Sequence, residues 1–188
     1  GQPVPFHAGQ QRAYDSAARF VFMLAGTQGG KTSFGPWWLA REIDRHGAGD
    51  YLAVTASFDL FKLKMLPVMR LVFGNILRRG RYWASNRVIE LADPQGRFHA
   101  ETSDDPMWGR IILRSAESGG GLESATVKAA WLDECGQDSF TLNTWEAVLR
   151  RLSLSQGRIL GTTTLYNHGW LKAQVYDRWT AKEPGYDV

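Results

Sequence analysis

Ala25-Gly26-Thr27-Gln28-Gly29-Gly30-Lys31-Thr32 fits the form in which Gly or Ala, four free positions and then Gly-Lys-Thr join a strand to a helix. Immediately before it, Phe20-Val21-Phe22-Met23-Leu24-Ala25 is an unbroken apolar run of the kind a central strand covered on both faces needs. After it, Lys31 to about Arg45 has helical spacing, with Phe34, Trp38 and Ile43 near one face and Pro36 close enough to the first turn to distort it. Glycines let backbone amides turn inward around a phosphate, and the new helix directs its N-terminal N–H groups and positive dipole end at the same anion. Lys31 then spans the outer phosphates and Thr32 is placed to ligate magnesium. Gly26, Thr27, Gln28, Gly29, Gly30, Lys31 and Thr32 are therefore the candidate nucleotide-binding residues.

A phosphate cradle only binds, so hydrolysis needs a second element. Ala129-Ala130-Trp131-Leu132-Asp133-Glu134 is an apolar strand whose end carries two adjacent acids, the Walker B pattern. Asp133 would hold magnesium through its water shell, while Glu134, just beyond the strand, would orient and polarise an attacking water. Alone, such a pair is more often a helix cap or a solvated pair; the glycine-rich loop upstream turns it toward chemistry. The third element is Arg158-Ile159-Leu160-Gly161-Thr162-Thr163-Thr164, a strand ending in hydroxyls. Thr162 or Thr163 is placed to sense a γ-phosphate, although threonine also simply favours strands.

Outward from these motifs, 188 residues with 44% hydrophobic and 22% charged content fit one domain with a single substantial core, taken to span 1–188. There is no apolar run of about eighteen residues and no signal-peptide pattern, so the expectation is a soluble intracellular protein that does not engage a membrane. The single cysteine, Cys135, rules out an internal disulfide and lacks the neighbours of a zinc site. Basic residues number 22 against 19 acids, a formal charge of +3 that is too mild to prove nucleic-acid binding. Arg78, Arg79, Arg81 and Arg87 cluster, either as a phosphate-contacting edge or, more commonly, as a solvated loop. Of eight tryptophans, Trp37, Trp38, Trp131, Trp145 and Trp179 lie inside apolar patterns and are read as core.

Further elements follow from spacing: a short helix over 10–18, a strand at Tyr51–Thr55, and a helix from Asp59 to Phe73 interrupted at Pro67. Alternating stretches at Arg87–Leu91, Phe98–Thr102 and Arg110–Arg114 look like a small antiparallel insert. Val127–Leu132 and Arg158–Thr162 read as strands, Leu142–Leu152 and 170–179 as helices. Strands alternating with helices give an α/β fold with a mainly parallel central sheet flanked by helices.

With the three motifs in order, nearly the whole chain resembles the N-terminal ATPase domain of the large terminase subunit, the DNA-packaging motor of tailed bacteriophages and herpesviruses. The resemblance implies a P-loop fold of the RecA-like, ASCE type, with ATP and Mg2+ as ligands. It also implies that an adenine-reading glutamine stands in Pro5-Phe6-His7-Ala8-Gly9-Gln10, which makes Gln10 the choice over Gln11. It places Lys31 and Thr32 on the phosphates and metal, Asp133 on the metal, Glu134 as the catalytic carboxylate with Lys31, and Gly161-Thr162-Thr163 as the motif coupling hydrolysis to motion. Leu165-Tyr166-Asn167-His168-Gly169-Trp170-Leu171 is similar to the aromatic stretch that follows this motif in the family. The implied partners are double-stranded DNA, a portal protein and a small terminase subunit, in a pentameric ring formed in the host cytoplasm and docked on the procapsid.

The chain departs from the family pattern twice. Thr27 and Gln28 stand where many large terminases carry a P-loop arginine, and Gly121-Leu122-Glu123-Ser124 lacks the arginine that reaches a neighbouring subunit. Arg110 and Arg114 are the nearest upstream candidates for an arginine finger. A complete large terminase would continue into an RNase H-like nuclease, so the sequence reads as an excised motor domain with no nuclease residues to assign. The rival readings are a helicase-like P-loop motor, in which a second RecA-like domain follows, and a non-hydrolysing nucleotide switch, against which Glu134 argues.

Overall fold

Residues 6–24, 31–118, 125–164 and 169–188 are described by the structure, a computed structural model. The elements run α1 (Ala8–Asp15), β1 (Phe20–Leu24), α2 (Lys31–His46), β2 (Gly49–Thr55), a composite helix α3 over 58–76, β3 (Gly80–Trp83), β4 (Val88–Leu91) and β5 (Gly109–Ser115). They continue through a 3-10 turn (Ala116–Ser118), β6 (Ala129–Asp133), α4 (Leu142–Leu152), β7 (Arg158–Thr163), a composite helix α5 over 169–180, and β8 (Tyr186–Asp187). The strands make one sheet in the order β3-β4-β5-β2-β6-β7-β1-β8. All pairings from β5 to β8 are parallel, and the β3–β4 hairpin joins β5 antiparallel at one edge. The acid-bearing β6 is separated from β1 by β7 alone, which is the RecA-like, ASCE arrangement.

Alternation along the strands sorts side chains into two layers, because successive residues point to opposite faces. Val21, Met23, Tyr51, Ala53, Ile111, Leu113, Trp131 and Leu160 face α2 and α3, with Trp38, Leu39, Ile43, Met65, Met69 and Phe73 opposite them. Phe20, Phe22, Leu52, Val54, Ile112, Ala130, Leu132 and Ile159 face the other way, onto Trp145, Val148 and Leu152 of α4 and Leu171 and Val175 of α5. Trp38, Trp131 and Trp145 are core residues, as their apolar settings predicted, while Trp37 and Trp179 are only half-buried.

Pro36 does not end α2, which runs to His46. Proline lacks only the N–H that would have met the Thr32 carbonyl, close to the helix start. At Gly35 the absence of a side chain sets the layer spacing: a Cβ there would fall 2.0 Å from Cε2 of Trp131 on β6. Pro67 likewise fails to break α3, where π-helical turns (Phe61–Met65 and Arg70–Ile76) flank an α turn (Leu66–Met69).

The expected strand at Phe98–Thr102 is irregular instead, because the N–H groups of His99 and Ala100 donate to the Glu90 carboxylate at 2.8 and 3.0 Å and are lost to any ladder. Burial pushes the Glu90 carboxyl up, but the donors at Ala100, Arg81, His99 and Trp83 outweigh it and hold the group below its ordinary range. Arg79 pairs with Asp44 at 2.6 Å and Arg81 with Glu90 at 2.8 Å, so half of the arginine cluster is tied into the fold. Among the described residues no helix is long and apolar enough to cross a membrane.

Candidate functional site

Parallel register brings the ends of three strands together. Leu24 of β1 pairs with Thr163 of β7, and Thr162 pairs with Asp133 of β6. α2, the next element after β1, begins at Lys31 and packs on β6 and β7, the strands that carry the second and third sequence elements. Gly26, Thr27, Gln28, Gly29 and Gly30 lie outside the described residues, and for Lys31 and Thr32 the description is of backbone only.

Asp133 and Glu134 are almost completely buried, at 1% and 5% exposure. A short web of hydrogen bonds hangs them from the end of β7. The Glu134 N–H donates to the Thr162 carbonyl at 2.6 Å, the Thr162 hydroxyl donates to Asp133 Oδ1 at 2.8 Å, and the Gly136 N–H donates to Thr163 Oγ1 at 3.0 Å. Thr162 and Thr163 thus have separate attachments, one to Asp133 and one to the segment that follows Glu134. Gly161, between them and the strand interior, leaves room for a ring: a Cβ there would sit 2.2 Å from the Phe22 ring on β1.

Glu134 adopts φ +54, the left-handed region that costs a non-glycine residue about 1–2 kcal/mol. Strain of this kind persists where the surroundings enforce it, and it re-aims the side chain after the strand ends. Among the described residues Glu134 Oε2 is buried with no hydrogen-bond partner, as are Thr55 Oγ1 at the end of β2 and Thr164 Oγ1 just past β7. These oxygens lie at or just past the ends of three adjoining parallel strands, on one end of the sheet. Buried polar atoms normally find partners, so oxygen-rich vacant bonding capacity here suits a hydrated divalent cation and a bound water. Neighbouring Cys135 is fully buried, and burial together with the charges of Asp133 and Glu134 pushes its thiol far up, so it remains a neutral packing group.

The remaining sequence candidates fall elsewhere. Gln10 is buried in α1, where its amide oxygen accepts from the His7 N–H and its own N–H donates to His7 Nδ1, both at 3.2 Å, as a capping box. A cavity of about 210 Å³ lies between α1 and β1, walled by His7, Gly9, Arg12 and residues 21–24 of β1; Gln10 does not line it. Arg110 stands at the opposite end of the sheet in a forked pair with Asp50, at 2.9 and 3.2 Å. Arg114 Nη1 donates to the carbonyls of Asn86, Arg87 and Leu113 at 3.1, 3.2 and 2.7 Å. Both guanidinium groups are engaged within their own chain, which does not fit a finger extended to a neighbour. The segment 121–124 and residues Leu165–His168 lie outside the described residues, while Trp170 stacks on Trp145 at 4.9 Å.

Sequence reasoning missed two features. Nothing in the residue types marks Glu134 as left-handed, and Trp131, taken as core alone, also donates its indole N–H to Thr162 Oγ1 at 2.9 Å. An indole two residues before an acid on the same strand face was the available signal.

This fold has counterparts among solved structures. The large terminase ATPase domain of Thermus phage P74-26 superposes with a TM-score of 0.67, at 18% identity over 89% of this chain and 68% of that one. The chain has the large-terminase ATPase fold. The large terminase of a thermophilic bacteriophage in complex with ATP-γ-S gives a TM-score of 0.71 at 12% identity, over 95% of this chain and 43% of that one. The HK97 bacteriophage large terminase gives 0.73 at 15% identity, over 100% of this chain and 40% of that one. The chain therefore spans less than half the length of these two terminases. No family model and no curated protein matches it in sequence.

Proposed function

We propose that this chain is the ATPase motor domain, spanning 1–188, of a tailed-phage large terminase, coupling Mg-ATP hydrolysis to translocation of double-stranded DNA into a procapsid. The observation that carries the reading is Glu134: a strained, buried carboxylate with one oxygen lacking a hydrogen-bond partner among the described residues, held by β7 where that strand ends beside β1. In this reading residues 26–30 and Lys31 bind the ATP phosphates, Asp133 and Thr32 hold magnesium, and Glu134 orients the water for in-line attack and takes up its proton. Magnesium, when bound, neutralises charge on the phosphate oxygens. Because Thr162 and Thr163 contact Asp133 and the Glu134 loop, movement at the end of β7 accompanies any change at either acid.

A motor that moves any DNA sequence contacts backbone phosphates, so its DNA affinity falls steeply with salt. The partners proposed are double-stranded DNA, a portal protein and a small terminase subunit, with the motor working as a pentameric ring docked on the procapsid in the host cytoplasm. A head-to-tail ring lets one subunit supply charge to the next site.

The test is Mg-dependent ATP hydrolysis by this chain and its Glu134→Ala variant, with nucleotide binding measured in the same samples. Turnover by the parent and binding without turnover by the variant support the reading; a rate per subunit that rises with protein concentration points to a residue lent by a neighbour. Equal turnover by both proteins removes Glu134 from the chemistry and overturns the mechanism.

A further inference from the structure

Trp131 is fully buried on β6, two residues before Asp133 and on the same face of the strand. Its indole N–H donates to Thr162 Oγ1 at 2.9 Å. An indole nitrogen donates only, so the hydroxyl is the acceptor in this bond. A hydroxyl has one proton to give, and two acceptors are near it: Asp133 Oδ1 at 2.8 Å and the Leu132 carbonyl at 3.5 Å. With its acceptor side engaged by Trp131, the hydroxyl proton goes to the carboxylate.

We propose that Trp131 is a positioning residue, whose indole N–H sets the direction of a Trp131–Thr162–Asp133 relay and thereby fixes the Asp133 carboxylate for magnesium. The proposal rests on the ATPase reading given above. The same indole also touches the phosphate-binding side of the site: a Cβ on Gly35 of α2 would lie 2.0, 2.3 and 2.4 Å from Cε2, Cζ2 and Cδ2 of the ring. α2 begins with Lys31 and Thr32. One side chain therefore contacts the helix that opens at the phosphates and, through a single hydroxyl, the acid assigned to the metal. A close-packed contact transmits displacement, so sliding of α2 against β6 reaches Asp133.

Trp131→Phe keeps an aromatic ring against Gly35 and removes the donor; Thr162→Val removes the hydroxyl and keeps the branched shape. The readouts are thermal unfolding, affinity for a fluorescent non-hydrolysable ATP analogue across a magnesium titration, and the 15N–1H spectrum of the indoles. Each single variant is expected to bind the metal-free analogue like the parent and to need about tenfold more magnesium for the metal-dependent gain in affinity, the size of one hydrogen bond to a charged group. The double variant is expected to need no more than either single one, because the two bonds act in series. In the parent spectrum the Trp131 resonance, identified by its loss in Trp131→Phe, is expected to move in Thr162→Val.

Parent-like magnesium dependence in Trp131→Phe, or effects that simply add in the double variant, overturns the relay. If Trp131→Phe does not fold, Thr162→Val alone decides, and a parent-like magnesium titration in that variant overturns the proposal. A parent whose nucleotide affinity ignores magnesium overturns the ATPase reading instead, and is recognised before any variant is compared.

Discussion

The two ends of the sheet treat charge in opposite ways. At the end where the parallel strands begin, carboxylates meet cations or several donors. Glu42 of α2, with no exposed surface, lies 2.5 Å from Arg158 at the start of β7 and 3.2 Å from His46, and Arg158 also donates to the carbonyls of Ser16 and Ala18. Asp50 and Arg110 form their forked pair there, and Asp93, just past β4, accepts from the N–H groups of Gln95 and Arg97 at 2.9 and 3.0 Å. At the end where the strands finish, Asp133 accepts from the Thr162 hydroxyl, and Glu134, on a strained backbone, has one oxygen without a hydrogen-bond partner among the described residues. The first end sets its carboxylates against cations, with Glu42 Oε2 lacking a hydrogen-bond partner among the described residues; the second carries the acid on a strained backbone.

Glu134→Gly tests this contrast most severely. It is expected to lower ATP turnover by about 10²–10⁴-fold while leaving nucleotide binding intact, the range for removal of a general base. Relief of the left-handed strain should also raise unfolding stability by about 1 kcal/mol in urea titrations. A variant that is both less stable and fully active would erase the distinction between the ends.

At the other end, Arg158→Ala leaves Glu42 buried without its main partner and is expected to cost about 3–5 kcal/mol of stability. Nucleotide affinity of the folded fraction should be unchanged, which equilibrium unfolding and binding on the same sample will check. Gly35→Ala crosses between the two classes. Its methyl group must displace the Trp131 ring or α2, costing about 1–3 kcal/mol, and a raised magnesium requirement should accompany the lost stability if the contact also serves the site.

The smallest effect is expected at Asp93. The Arg97 N–H bond, with His99 and Gln95 adding to it, lowers this carboxyl to about 2 from an ordinary value of 3.8. A depressed folded-state pKa stabilises the fold above the unfolded value and loses that contribution as pH falls through the folded value. Parent stability should therefore decline between about pH 4 and pH 2 more steeply than that of Asp93→Asn, measured by thermal unfolding across that window.

Local pattern carried much of this architecture. α4 spans the same Leu142–Leu152 that its spacing predicts, and β1 and β6 follow their apolar runs, because strands buried on both faces must be apolar throughout. Phe98–Thr102 was misread because its N–H groups are captured by Glu90, a partner distant enough in sequence that alternation carries no trace of it. β8, only two residues long, offers no period at all. In the site, Asp133 and Glu134 stand out as acids ending an apolar run, and of Thr162 and Thr163, the two candidates for sensing a γ-phosphate, Thr162 is bonded to Asp133. The aromatic and proline positions were legible as residue types but not as consequences: Pro36 and Pro67 interrupt neither helix.

Sequence by itself determined the elements and the chemistry available to them, since periodicity, glycine content and acid placement act through the local backbone. Tertiary structure alone decided that β7 lies between β1 and β6, that Glu134 sits in a left-handed conformation, and that one indole touches both α2 and the Thr162 hydroxyl. Those are properties of which surfaces meet, and packing between residues far apart in the chain leaves no periodic signature in the order of its amino acids.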